Sequence, residues 1–286
     1  MSGAFTEGWY RLFLRAFPPG HRAEYGGEII GTLLNGSPRP PSLRETAGLL
    51  TAGFAARARA AATPWWADGL QLGLLMLALA NMAYGIADHS SPWWLAVSAV
   101  LVAALLRGWA LVALPLALAV ALSTSRAMLL GTQATSWPSQ ILGPANHNWV
   151  SLAPYGVLAI GAVALAANRP ARPQRLRARP WWWLVIPAAS LTLTYMPGNH
   201  EYGEIWQLVR VGTESVLLLA GVLTTAIARS PRWALAAAIY LLPGAASPLI
   251  NPPPNAQDTG YWLALIGLLL AMIATAWRPQ LLPDRA

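Results

Sequence analysis

WADGLQLGLLMLALANMAYGIA, residues 66–87, carries one charged side chain, Asp68, in twenty-two positions. An apolar run of this length matches the roughly 20 residues that a helix needs to cross a bilayer core of about 30 Å. Working outward, comparable runs occupy residues 93–106, 109–123, 149–167, 181–196, 205–228, 233–250 and 261–277, each bounded by a short polar break. The second and third are parted only by Arg107 and Gly108. The expectation is an all-α polytopic integral membrane bundle of about eight spans, filling residues 62–286.

Composition agrees with a lipid solvent, since 56% of the residues are apolar and 10% are charged. Trp follows Pro in Pro64-Trp65-Trp66, Pro92-Trp93-Trp94 and Pro180-Trp181-Trp182-Trp183. Indole favours the headgroup layer, so these clusters read as boundary anchors and not as binding sites.

The arginines set an orientation. The N-terminal region, the Arg107 turn, the linker with Arg169, Arg172, Arg175, Arg177 and Arg179, the Arg229/Arg232 turn and the Arg278/Arg285 tail alternate with loops that hold Asp88, His89, Asn146, His147, His200, Glu201, Glu204 and Asp258. Basic loops stay in the cytoplasm, which places both termini inside a bacterial plasma membrane, with Arg126 the exception on the outer side. Arg11 and Arg15 interrupt the early apolar stretch, so the start does not read as a cleavable signal peptide. The net charge of +8 is distributed over these loops and forms no single basic face, which argues against a nucleic-acid partner.

Before the first span, residues 1–61 read as a cytosolic three-helix region. Trp9, Leu12, Phe13, Ala16 and Phe17 recur at helical spacing, with Glu7, Arg11 and Arg15 on the opposite face, until Pro18, Pro19 and Gly20 stop the helix. A second helix is predicted from about Arg22 to Leu34, with Tyr25, Ile29, Ile30 and Leu33 as its apolar side. Ser42-Leu43-Arg44-Glu45 is a capping box that opens a third, running to about Ala61. Within the spans, Trp109-Ala110-Leu111 with Pro115 parallels Trp233-Ala234-Leu235 with Pro243, and both successors end in Arg-Pro, so a duplication of four plus four spans is one reading.

What is absent excludes several chemistries. The chain has no Cys and no Lys, its nineteen basic residues all being Arg. That removes thiolate nucleophiles, thiolate metal sites, lysine Schiff bases and the Walker A lysine. An ATPase driving this protein would therefore be a partner subunit. No histidine lies inside a span to activate a serine, no Gly-x-Ser-x-Gly elbow or dinucleotide fingerprint occurs, and no catalytic residue, cofactor or metal site is assigned. His-Glu-Tyr-Gly-Glu at 200–204 lacks the second histidine of a zinc helix.

The candidate site is in the sixth run, where Gln207, Arg210 and Glu214 share one helical face. Charges at that depth are costly and face the bundle interior. Two readings stay open: the stripe lines a polar cavity, or Arg210 and Glu214 form an i, i+4 ion pair that fixes packing. Asp68 stands alone near the inner boundary.

YRLFLRAFPP at residues 10–19, followed by HRAEYGGEII at residues 21–30, resembles the cytosolic helical lead-in of uncharacterised actinomycete multi-span membrane proteins often encoded beside PadR-type regulators, and of some ABC-type permeases. The resemblance implies a cytosolic helical module joined to a membrane domain and carries over no catalytic residue. The chain departs from the permeases, whose large extracellular domain its short outer loops cannot supply. The expected function is a non-enzymatic transport component, with the lipid bilayer and an ATPase subunit or cytosolic regulator as partners. The alternative is a membrane-bound regulatory protein that docks a cytosolic partner through residues 1–61.

Overall fold

A computed structural model describes residues 2–35, 42–59, 64–87, 91–129, 152–167, 176, 178–194, 203–228, 230–250 and 256–276. Among these the protein is all-α, with eleven α-helices, one 3-10 turn and no strand. It divides into two compact units, one of residues 1–62 with 223–230 and the other of residues 63–222 with 231–286.

In the first unit, α1 (Ser2–Leu14), α2 (Pro19–Asn35) and α3 (Leu43–Arg59) enclose a small core of Tyr10, Leu14, Phe17 and Leu49, with Phe13, Ile29, Ile30 and Leu33 packed against it. The end of α1 tightens into i to i−3 bonds, from the N–H groups of Arg15, Ala16 and Phe17 to Leu12, Phe13 and Leu14. Helix α2 begins three residues earlier than the hydrophobic pattern implies, because Pro19 suits the first helical position and the Arg22 N–H closes the first turn on the Pro18 carbonyl at 3.0 Å. Gly53 lets α3 approach the end of α1, since a Cβ there would lie 2.7 Å from the Ala16 Cβ. The capping box forms as expected: the Ser42 N–H donates to Glu45 Oε2 at 3.0 Å and the Glu45 N–H to Ser42 Oγ at 3.2 Å.

The second unit is built round α4 (Trp65–Ala87), which packs against α5 (Pro92–Arg107), α7 (Ala153–Ala167), α8 (Val185–Thr194) and α10 (Arg232–Ile250). Helix α6 (Ala110–Leu129) lies on α5 and α7, and α11 (Ala256–Ala276) lies on α10. Leu72, Leu74, Leu75, Leu77 and Leu79 are all fully buried, as expected of a helix apolar all round and enclosed by neighbours. Glycines permit the approach. A Cβ at Gly73 would meet Ile239 of α10 at 2.7 Å, and one at Gly161 of α7 would meet Leu74 at 2.6 Å. Gly69 and Gly73 form a Gly-x-x-x-Gly face, the small-residue pattern by which apolar helices pack closely.

The two-residue break between the second and third runs is a Schellman turn. Gly108 has φ 72°, its N–H reaches the Leu105 carbonyl at 3.2 Å, and the Trp109 N–H reaches the Ala104 carbonyl at 2.8 Å. The fifth run is shorter than the pattern implies over the described residues: a 3-10 turn, Trp181–Leu184, leads into the ten-residue α8. Helix α9 (Gly203–Ala228) is the longest, at 26 residues.

Three helices among the described residues are long and apolar enough to cross a membrane by length and composition, over Trp65–Ala83, Val211–Ala228 and Thr259–Ala276. The first of these windows is 78% buried, the other two only 22% and 28%.

Candidate functional site

One polar cluster of the second unit is built where α4 and α10 begin. Gly69 carries no Cβ, so the Arg232 backbone comes close; a Cβ there would lie 2.7 Å from the Arg232 carbonyl oxygen. That approach delivers the Arg232 side chain to Asp68, and Nη1 donates to Oδ2 at 3.1 Å. The segment before the 3-10 turn supplies the second cation. Arg179 Nη2 donates to Asp68 Oδ1 at 2.5 Å and to the Asp68 carbonyl at 3.0 Å. The carboxylate is 2% exposed and the guanidinium side chains 7% and 8%, so each oxygen of a fully desolvated anion has its own cation. Asp68, which has no second aspartate beside it in its run, is thus paired with two arginines. Its carboxylate also lies in the first turn of α4, where the helix dipole favours negative charge.

The same region completes the end of α5, whose last carbonyls have no partner within the helix. The Arg179 N–H donates to the Leu106 carbonyl at 2.7 Å, and Gln71 Nε2 to the Leu105 carbonyl at 2.7 Å. Arg107 stacks over Trp181, 4.7 Å from the ring centroid. A Cβ at Gly108 would fall 2.6 Å from the Leu176 carbonyl oxygen, so only glycine serves both the turn's backbone and this contact.

The other cluster contains the candidate residue Glu214, buried near the middle of α9. Tyr240 of α10 donates its hydroxyl to Oε1 at 3.0 Å, and Tyr261 of α11 donates to Oε2. Gly221, two turns further along α9, admits α11; a Cβ there would lie 2.8 Å from Met272 Cε. Gln207 and Arg210 belong to the same helix, and their side chains lie outside the described residues. So do Asp88, His89, His147, His200 and Glu201, together with the side chains of Glu204 and Asp258. Among the described residues no group of three or more His, Asp or Glu side chains is placed to hold a metal ion.

In the first unit, Tyr10 donates to Glu45 Oε2 at 3.3 Å and Trp9 Nε1 to Thr46 Oγ1 at 3.4 Å, tying α1 to α3. The Ser42 N–H and hydroxyl, with help from Tyr10, hold the Glu45 carboxyl below its ordinary value. Burial first, and then the Glu45 charge, push the Tyr10 phenol up.

Helical arithmetic found Glu214 but missed its tyrosines, which lie 26 and 47 residues away in sequence. A usable signal was a single tyrosine within an otherwise aliphatic run, at Tyr240, and another at the start of one, at Tyr261. The chain matches no protein-family model, no curated protein and no solved structure.

Proposed function

We propose that this chain is a multi-pass protein of a bacterial plasma membrane, with about eight spans and both termini in the cytoplasm, acting as a non-enzymatic transport component. The observation that carries the membrane reading is the outward face of its apolar helices. Val216 and Leu219 of α9, Leu263 and Leu270 of α11, Ile160 of α7 and Leu122 of α6 are exposed, while the charged Glu214 of α9 turns inward. Such a surface is stable against lipid tails and costly against water. The orientation is supported by the second unit's basic end, where the start of α4, the α5–α6 turn, the segment before α8 and the start of α10 meet through Asp68, Gly108, Arg179 and Arg232. An even number of crossings separates each of these from the next.

Transport is favoured by Glu214, a buried carboxylate placed among three helices within an apolar window, where ionisable groups mark pathways. With no lysine in the chain, any ATP-driven step belongs to a partner subunit. A regulatory role is the second reading, favoured by the first unit's own core and its exposed Trp9, Leu12 and Leu43. Affinity purification in mild detergent, with mass spectrometry of stoichiometric partners, separates the two. An ATPase subunit supports a permease component, and a cytosolic regulator lost on deletion of residues 1–61 supports the second reading. Recovery of the chain from the soluble fraction contradicts both.

A further inference from the structure

We propose that Glu214 is a reversible proton-binding site, whose carboxyl takes one proton from water and returns it while Tyr240 and Tyr261 exchange hydrogen-bond roles around it. The proposal rests on the reading that α9, α10 and α11 span the bilayer.

Position and partners carry it. Glu214 lies inside the apolar window Val211–Ala228 of α9, about one turn from its start at 1.5 Å per residue, and is buried there. Asp68, another buried carboxyl among the described residues of this unit, is set between two guanidiniums, which can only donate. Each oxygen of Glu214 meets a phenol instead, a group that both donates and accepts. As the carboxylate, Glu214 accepts from both tyrosines. When a proton adds to one oxygen, the new O–H donates to the tyrosine oxygen beside it, and the other oxygen goes on accepting from the second tyrosine. Both carboxyl oxygens therefore stay hydrogen-bonded in either state, while the tyrosine that becomes the acceptor turns its own O–H away from the carboxyl.

Among the described side chains, Tyr240 from α10 and Tyr261 from α11 face Glu214. On its own helix Arg210 precedes it by one turn. A proton relay needs a chain of carboxylates, but a carrier that binds a proton on one side and releases it on the other needs one carboxyl and a change of access.

The test is infrared difference spectroscopy of the full chain in lipid nanodiscs, titrated between about pH 4 and about pH 9, a range that covers ordinary and strongly raised carboxyl titration. The expected result is a protonated-carboxyl band that grows as pH falls, is missing in Glu214→Gln, and is accompanied by a tyrosine ring signal. Removing one donor to the charged form, in Tyr261→Phe, should tighten proton binding about tenfold, since a hydrogen bond to a charged group contributes about 1.5 kcal/mol. If Glu214→Gln does not accumulate, Tyr261→Phe decides, because it keeps the carboxyl. A carboxyl held ionised by Arg210 throughout gives no such band and overturns the proposal, as does a titration that Tyr261→Phe leaves unchanged. The spectra read the proton site alone; a separate flux assay that finds no solute moved would sink the transport reading and leave a titrating Glu214 standing.

Discussion

Replacing Asp68 by Ala tests the logic of the basic end most severely. The substitution removes one carboxylate and leaves the Arg179 and Arg232 side chains, 7% and 8% exposed, without the anion they share. Breaking a buried pair by deleting one partner costs about 3–5 kcal/mol, because the remaining charge stays desolvated. Here two like charges remain, so the upper part of that range applies. Against a typical total of about 5–15 kcal/mol this is a large share, on the order of 10 °C in the thermal midpoint. Asp68→Asn should recover little, since its amide offers donors to groups that are themselves donors. Replacing all three residues together, as Asp68→Leu, Arg179→Met and Arg232→Met, should restore most of the loss, because an apolar substitute for a complete buried ion cluster is about neutral. The assay is thermal unfolding in detergent followed by size-exclusion chromatography. Equal midpoints for wild type and Asp68→Ala would refute the reasoning, and so would a triple variant less stable than the single one.

Four further predictions concern packing, backbone, capping and pH. Gly73→Leu should lower stability by at least about 1–3 kcal/mol through overpacking against Ile239, and Ile239→Ala should recover part of it in the double variant, a coupling read from thermal midpoints. Gly108→Ala should cost about 1–2 kcal/mol for its left-handed backbone alone, with the Leu176 carbonyl forced away in addition, measured by the same assay. Ser42→Ala should cost about 1 kcal/mol at the start of α3, seen as faster amide hydrogen exchange there. The folded Glu45 carboxyl titrates below its unfolded value of about 4.3, so its stabilisation is complete above that pH and is lost as pH falls through the folded value. Exchange at the start of α3, corrected for intrinsic rates, should accelerate over that acid window in wild type and not in Glu45→Gln.

Local rules read this chain well and long-range ones poorly, for a physical reason. The capping box, the proline stops and the glycine between α5 and α6 act over a few residues, and each produces its element in the structure. The boundary of α2 moved because Pro19 was read as a breaker when its place was the first helical residue. In the fifth run the Trp181-Trp182-Trp183 cluster counted as apolar helix; it forms a 3-10 turn, pinned by Arg179 and Arg107 contacts that hydropathy does not encode. The partners of Asp68 lie 111 and 164 residues away, beyond any spacing rule. Glu214 was visible as a charge in an apolar run, yet i, i+4 arithmetic points only along its own helix and could not show α10 or α11. Gly69 and Gly73 admit α10 to α4, a contact to which apolar periodicity along one run does not point.

The central claim is a chain that crosses the membrane repeatedly, with its basic end inside. The natural sequence has no cysteine, so single cysteines report position without a background. Ala178→Cys and Thr51→Cys lie in segments assigned to the cytoplasm, and Ser91→Cys and Ala256→Cys in loops assigned outside; all four positions are exposed. Each variant is treated in intact cells with a membrane-impermeant maleimide and again after permeabilisation. The account predicts that Ser91→Cys and Ala256→Cys react in intact cells, while Ala178→Cys and Thr51→Cys react only once the membrane is opened. Labelling of Ala178→Cys and Ser91→Cys from the same side would contradict it.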